Sequence, residues 1–410
     1  MGKRQGTWLA VAAMIAATAS VAAAVLFVAH AGTTGPQPGR RGPVRAEGDR
    51  FVAADGRPFE WRGVTAFALL HQVVDGREAE AEAFLRWASG RGFTVVRVLG
   101  MAHNLFPLSA DEGLKGVRRL LRLAADHGLM VELVLFADTQ ILRGLDFEAH
   151  AGKVAAEVSG ATNVFIELAN ENDHGAQDRR LTDAGQLQAI RARLPREIPV
   201  SLGSLHAGDL RVVRYEGGDY VTVHIDRSAQ PWQHVGLTAR LGALARGAGT
   251  PVVNDEPIGA GERLEPGRRL ADPGVFYGFG VLSRLTGVPT TFHCEDCMYA
   301  RPLGKTQEAS AAAFIEGTRL LPEGRRFLPV DPVAGGSGAG EGRAHPLLKT
   351  REVPGGVEVH AAADESGDWV VVAALGAPPD LALPWAPGWS VTPLASRPGI
   401  VVYRAGYEKK

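Results

Sequence analysis

Phe93-Thr94-Val95-Val96-Arg97-Val98-Leu99, then Ser109 with Glu112, then Leu114, Val117, Leu121 and Ala124, then Gly128 and Leu129-Met130-Val131-Glu132-Leu133-Val134-Leu135-Phe136: this stretch decides the fold. Two nearly continuous apolar runs rich in β-branched residues bracket a helical pattern. Ser109 and Glu112 have the spacing of a capping box, the four apolar positions share one helix face, and Gly128 ends the helix. Apolar strands without alternation are buried on both faces, which implies a parallel sheet covered by helices. The unit repeats along the chain. Its strands fall at 61–65, 93–99, 129–136, 164–168, 199–202, 220–224, 252–255 and 289–292. Asp75 with Glu78 repeats the capping-box spacing, and a last helix over 305–321 carries Ala312, Phe314, Ile315 and Leu320. Eight such units in about 260 residues predict an α/β fold of the (β/α)8 TIM-barrel type. An open doubly wound sheet would need a Gly-rich phosphate loop after the first strand, and Gly63 and Gly100 are isolated glycines.

The barrel is expected over 50–326, opening on a hairpin at 51–59 with an Asp55-Gly56 turn. Residues 32–49 are rich in Gly, Pro and Arg and read as a flexible linker. At the amino terminus Lys3 and Arg4 precede the uncharged run 8–29. A run of about 20 apolar residues spans a bilayer, which favours a retained transmembrane anchor, while Ala29-His30-Ala31 fits the cleavage site of a signal peptide. Either reading of 1–31 puts the remainder outside the cytoplasm, secreted or held by a single-pass membrane helix. Beyond the barrel, short alternating stretches at 347–352, 357–361, 369–375, 389–394 and 400–404 are separated by Pro354-Gly355-Gly356 and Glu365-Ser366-Gly367. They predict a small antiparallel β-domain over 327–410.

The chain has 410 residues, with 44 Lys+Arg against 45 Asp+Glu and a formal charge of -1. No global field draws it to nucleic acid. Its two cysteines cannot frame a disulfide-built miniature scaffold. Cys294 and Cys297 lie with His293, Glu295 and Asp296 in one loop. A zinc site would want a second ligand pair, so a short-loop disulfide is favoured over a metal. No cofactor is implied, and oligomeric state leaves no trace in the sequence.

In a (β/α)8 barrel the reacting groups stand at the carboxyl ends of the strands. The fourth strand ends Glu167-Leu168-Ala169-Asn170-Glu171-Asn172, and the seventh ends Asn254-Asp255-Glu256-Pro257. Leaving carboxylates at the mouth of apolar strands costs desolvation and mutual repulsion. Glycosidic bond cleavage needs such a pair, one acid protonating the leaving oxygen and one carboxylate attacking the sugar, about 5.5 Å apart in a retaining enzyme. Glu167 and Asp255 are the nearest rivals for those roles. Alternation along a strand predicts that Asp255 and Glu256 point oppositely.

Residues 166–172 and 251–259 resemble the clan of retaining glycoside hydrolases built on (β/α)8 barrels, nearest to the cellulase-like family five. Gly56-Arg57-Pro58-Phe59, Trp61-Arg62-Gly63-Val64 and Gly92-Phe93-Thr94-Val95-Val96-Arg97 extend the resemblance. It implies Glu171 as acid/base, Glu256 as nucleophile, Asn170 on the hydroxyl beside the reacting carbon, Arg97 as support for the nucleophile's charge, and His224 at the end of the sixth strand. The chain departs from the family at Asp226, where a tyrosine is common, at Thr291-Phe292-His293-Cys294, where a tryptophan is expected, and at Ala137-Asp138-Thr139, where a histidine often follows the third strand. His103, with His71 and Asn104, is placed to line a sugar pocket. Trp232, Phe67 and Phe106 either stack on sugar or pack internally. Carbohydrate is the expected partner. The competing reading of the same barrel is a non-catalytic carbohydrate-binding envelope protein.

Overall fold

The structure, a computed structural model, describes residues 42–407 apart from 143, 206–216, 226–229, 261–271 and 334–345. The anchor or signal segment over 1–31 and the candidate residue Asp226 lie outside the described residues. Among those described, no helix is long and apolar enough to cross a membrane.

The amino-terminal strands β1 (Val44–Glu47) and β2 (Arg50–Ala53) pair antiparallel. The eight apolar runs become β3 (Arg62–Thr65), β4 (Val95–Leu99), β5 (Met130–Phe136), β6 (Val164–Ala169), β7 (Val200–Ser201), β8 (Val221–Val223), β9 (Val252–Asn254) and β10 (Thr290–Phe292). Every pairing within this sheet is parallel, in the order β7-β6-β5-β4-β3-β10-β9-β8. The ring closes through a bridge between Ser201 and Tyr220, where the Asp219 N–H donates to the Val200 carbonyl at 2.7 Å. The (β/α)8 barrel is therefore present.

Two inward layers follow from the two-residue pleat. Trp61, Val95, Met130, Phe165, Tyr220 and Val253 form an apolar layer at the amino-terminal end of the barrel. Phe51 plugs it, with ring centroids 5.2 Å from Trp61, 5.2 Å from Phe165 and 5.5 Å from Tyr220. This burial explains why β1 and β2 form inside and just beyond the stretch read as linker: Val44 and Phe51 are 3 % and 2 % exposed. The hairpin expected at 51–59 is also present, with Phe59 N–H to Phe51 O and Ala53 N–H to Arg57 O both at 2.9 Å. Two residues beyond the apolar layer, the same strands turn charged residues inward, and these build the site.

Helices cover the outside. Ser109 and Glu112 make the expected reciprocal cap on the helix Ala110–Asp126. Asp75 does not cap the helix Glu78–Arg91. It ends the short helix Leu69–Val74, and its carboxylate takes the Arg77 guanidinium at 2.8 Å instead. The helices Pro273–Thr286 and Lys305–Arg319 cross at Gly280 and Gly317, where a Cβ on Gly317 would lie 2.2 Å from the Tyr277 carbonyl oxygen. Backbone cannot yield as a side chain does. Gly317→Ala is therefore expected to lose roughly 1–3 kcal/mol in urea unfolding, and an unchanged midpoint would contradict this crossing.

Beyond the barrel, β11 (Phe327–Val330), β12 (Glu358–Asp364), β13 (Val370–Ala377), β14 (Trp389–Arg397) and β15 (Gly399–Tyr407) form an antiparallel sheet in the order β11-β12-β13-β15-β14. Ala362, Val371, Ala373, Ile400 and Val402 join the core shared with the barrel helices, while Val372, Ala374 and Val401 meet Leu347, Leu348 and Leu383 on the other face. The stretch 347–352 is not a strand. It contributes one isolated bridge, Leu348 to Trp385, and serves as cover for the sheet.

Candidate active site

Arg97 projects from the middle of β4 to the barrel axis, with no solvent exposure. Its Nη2 donates to Glu167 Oε2 at 2.7 Å and to Asn170 Oδ1 at 2.8 Å, and its Nη1 donates to Glu256 Oε2 at 3.2 Å. Asp255 Oδ2 lies 3.1 Å from its Nε, and Glu132 Oε2 lies 3.8 Å away. Four carboxylates thus surround one guanidinium. The expected opposition of Asp255 and Glu256 does not hold: β9 ends at Asn254, the alternation stops there, and both acids reach Arg97.

His224 stands at the end of β8 between the two candidate glutamates. Nδ1 lies 3.1 Å from Glu171 Oε1, and Nε2 lies 3.4 Å from both Glu256 Oε2 and Asp255 Oδ1. Carboxylate oxygens at both ring nitrogens suit a doubly protonated imidazolium. Burial works against that charge, yet Glu256 and Asp255 hold His224 well above the usual imidazole range. One carboxylate oxygen each from Glu171 and Glu256, with one His224 nitrogen, lie within 4.8 Å of one another.

Glu171 follows β6 in a left-handed conformation, φ 50°. Such a backbone costs a non-glycine residue on the order of 1–3 kcal/mol and persists only where neighbours enforce it. Here the Glu171 N–H donates to Ser204 Oγ at 3.1 Å, the Asn172 N–H to Ser204 O at 2.8 Å, and the Asn170 N–H to Phe136 O at 2.9 Å. Gly203 makes room, since a Cβ there would lie 2.1 Å from Asn172 Oδ1. The result turns Glu171 back over the barrel mouth.

Beneath the pair lies a layer only partly anticipated. Glu167 Oε1 accepts from Ser204 and Thr222 hydroxyls at 3.1 and 3.0 Å, and Glu132 Oε1 accepts from Tyr220 at 3.0 Å. Burial raises Glu167 to about 7, with Asp255 adding to the rise and Arg97 and His224 opposing it. Burial, then Asp255 and Glu167, push Glu132 well above the carboxylate range. Sequence reasoning passes over Glu132 and Ser204, and it weighs His293 only as a loop neighbour of the two cysteines. A signal for Glu132 exists, because Arg97, Glu132 and Glu167 each place a charge inside an otherwise apolar strand. A buried acid with a raised folded pKa destabilises the fold as pH climbs above the unfolded value, because the native state binds the proton more tightly. Relative to wild type, Glu132→Gln should therefore gain stability with rising pH, by up to about 1.4 kcal/mol per unit above the ordinary Glu range. Chemical denaturation at pH 5 and pH 7.5 checks this, and a pH-independent difference would refute it.

His293 lies in the run 291–294, where the family resemblance leads one to expect a tryptophan. Its Nδ1 meets Thr65 Oγ1 at 3.0 Å and its Nε2 lies 3.9 Å from Glu256 Oε1. Cys294 and Cys297 beside it form a disulfide, and both are buried. Phe67 lies 5.3 Å under the Arg97 guanidinium and is buried. Phe106 stacks on His71 at 5.3 Å, and Trp232 packs against Gly278 and Gly399 near the β14–β15 turn. The backbone N–H groups of His103 and Asn104 donate to Asp138 at 3.2 and 3.0 Å. No contact among the described residues joins His103 to the carboxylate cluster.

Fold and site together define a (β/α)8 barrel that gathers carboxylates around one arginine and one histidine at the carboxyl ends of its strands, with a β-domain attached. No family model and no curated protein matches the sequence. Among solved structures, the chain is similar to a putative glycoside hydrolase from Bacteroides vulgatus, with a TM-score of 0.61 and 16% identity over 91% of this chain and 83% of that one. It is also similar to a glycoside hydrolase family 5 protein from the same organism, with a TM-score of 0.59 and 13% identity over 90% and 93%. A third similar structure is a β-glucanase from Saccharophagus degradans in complex with cellotetraose, with a TM-score of 0.50 and 15% identity over 67% and 92%.

Proposed function

We propose that the protein is a retaining glycoside hydrolase acting outside the cytoplasm by double displacement. The observation that carries this reading is the pair Glu171 and Glu256, with oxygens within 4.8 Å and His224 between them. Retaining enzymes bring their carboxyl groups to about 5–5.5 Å, whereas inverting ones leave about 6.5–9.5 Å for a water. Arg97 and His224 keep positive charge beside Glu256, as a carboxylate nucleophile requires.

Glu256 attacks the anomeric carbon while Glu171 gives its proton to the leaving glycosidic oxygen. The sugar is then held as an ester of Glu256. Glu171, now a carboxylate, takes a proton from water, and the hydroxide portion displaces Glu256 with net retention. Asn170, fixed by Arg97 at 2.8 Å, presents its amide N–H groups toward the hydroxyl beside the reacting carbon. The Cys294–Cys297 disulfide suits an oxidising compartment, and the charged start and apolar run of 1–31 supply a route there. Whether that segment anchors the chain or is cleaved from it, the barrel acts on the far side of the membrane.

The test combines a panel of activated aryl glycosides with a 2-fluoro sugar that traps the ester. Turnover with retained stereochemistry and a mass increment on the peptide bearing Glu256 is the expected result. Sugar binding by calorimetry without turnover or label would overturn it in favour of a carbohydrate-binding protein.

A further inference from the structure

At the amino-terminal rim of the barrel, on the face opposite the carboxylate pair, a cavity of about 90 Å³ opens between the barrel and the five-stranded sheet. Six arginines and two carboxylates line it. Four of the guanidiniums are matched: Arg62 by Glu323 at 3.2 Å, Arg326 by Asp49 at 2.8 Å, Arg284 by Glu60, and Arg325 by Asp364. Arg50 and Arg246 have no carboxylate at ion-pair distance among the described residues. Arg246 spends one N–H on the Thr286 carbonyl at 3.3 Å. Burial lowers its guanidinium below the usual range, Asp49 opposing and the nearby charge of Arg326 adding. Arg284 is spent on Glu60 and on the Pro322 carbonyl, the latter at 2.7 Å. The cavity therefore offers room and two guanidiniums, Arg50 and Arg246, that no carboxylate among the described residues neutralises.

We propose that this cavity binds an oxyanion of the phosphate or sulfate type, held by Arg50 and Arg246. Guanidinium forks match the paired oxygens of such ions better than any other side chain does. Arg246 lies on the helix Pro231–Ala248 and Arg50 on β2, while Phe327 and Leu328 of β11 form the opposite wall. The bound ion joins the barrel rim to the leading strand of the sheet. It acts on stability and leaves the carboxylate pair, at the other end of the barrel, untouched. The ion arrives either free or as a phosphomonoester on a larger molecule.

Thermal unfolding and titration calorimetry of the full chain test the site, with sodium phosphate, glycerol phosphate and, at matched ionic strength, sodium chloride. At a phosphate concentration a hundredfold above Kd the midpoint should rise by about 3 °C. Chloride should give no comparable rise, and both Arg246→Gln and Arg50→Gln should lose most of the phosphate increment. Tighter binding of glycerol phosphate than of phosphate assigns the site to a phosphomonoester, and equal binding assigns it to the free ion. An undiminished increment in Arg246→Gln, an equal rise with chloride, or no calorimetric binding of either phosphate overturns the proposal. Should Arg246→Gln fail to fold, Arg50→Gln and direct calorimetry on the unaltered chain decide alone.

Discussion

Arg97→Met should destabilise the protein by about 3–5 kcal/mol, the cost of leaving buried charge without its partner. Methionine keeps much of the apolar bulk of the arginine stem, so cavity formation contributes little and the loss reports on charge. The carboxylates of Glu132, Glu167, Asp255 and Glu256 all face this one guanidinium, and three of the four are wholly buried. Without Arg97 they must hold additional protons. The positive charge at Arg97 lowers both Glu167 and Glu132, so its removal drives each further up. A folded carboxyl with a raised pKa binds protons that the unfolded chain has released, and stability then falls as pH rises. The deficit of Arg97→Met is accordingly expected to grow between pH 5 and pH 8, and Arg97→Lys should restore part of it. Denaturant midpoints across that range measure both effects. A variant as stable as wild type at pH 7.5 would mean that the layer keeps its protons without help from Arg97.

How far the sequence betrays this layer depends on what barrel closure adds. All eight barrel strands are legible as short runs rich in apolar and β-branched residues, and the ends of the fourth and seventh runs place Asn170, Glu171 and Glu256 at one mouth. Arg97 and His224 join them through the resemblance to retaining glycoside hydrolases, which implies both. What is hidden is which inward positions share a level. Arg97 pairs with Glu132 between β4 and β5, while Glu167 pairs with Val134 between β5 and β6. This stagger, a property of the closed ring, brings the three charges together. Asp255 misleads for a related reason, since alternation holds only while the strand lasts. The direction of His103 is hidden in another way. A loop residue after a barrel strand has a direction set by its own hydrogen bonds, here to Asp138, and no periodicity encodes them. The β1–β2 hairpin was masked by composition: Val44 and Phe51 look like isolated apolar residues in or beside a linker until the open end of the barrel gives them somewhere to go.

Under the proposed double displacement, Glu256→Gln should reduce kcat by roughly 10⁵-fold on every glycoside, because it removes the proposed nucleophile, and such losses are among the largest seen for single substitutions. Glu171→Ala is expected to behave differently, and the contrast separates the two roles. A proton donor contributes about 10²–10⁴-fold, and only where the leaving oxygen needs the proton. With a dinitrophenyl leaving group the first step should run almost unaided in Glu171→Ala, while hydrolysis of the ester, deprived of its base, becomes slow. A burst of phenolate followed by a low steady state is the expected trace, with kcat/KM nearly kept and kcat reduced. On an unactivated disaccharide both constants should fall together. The wild-type profile should lose rate at high pH as Glu171 gives up its proton, and that basic limb should vanish from Glu171→Ala on the activated substrate. His224 hydrogen-bonds Glu171 through Nδ1 and faces Glu256 through Nε2, so His224→Ala should move the basic limb as well as lower kcat. A burst in Glu256→Gln, or equal losses in Glu171→Ala on activated and unactivated substrates, would reverse the assignment of nucleophile and acid. Neither outcome is compatible with Arg97 and His224 both directing positive charge at the same Glu256 oxygen.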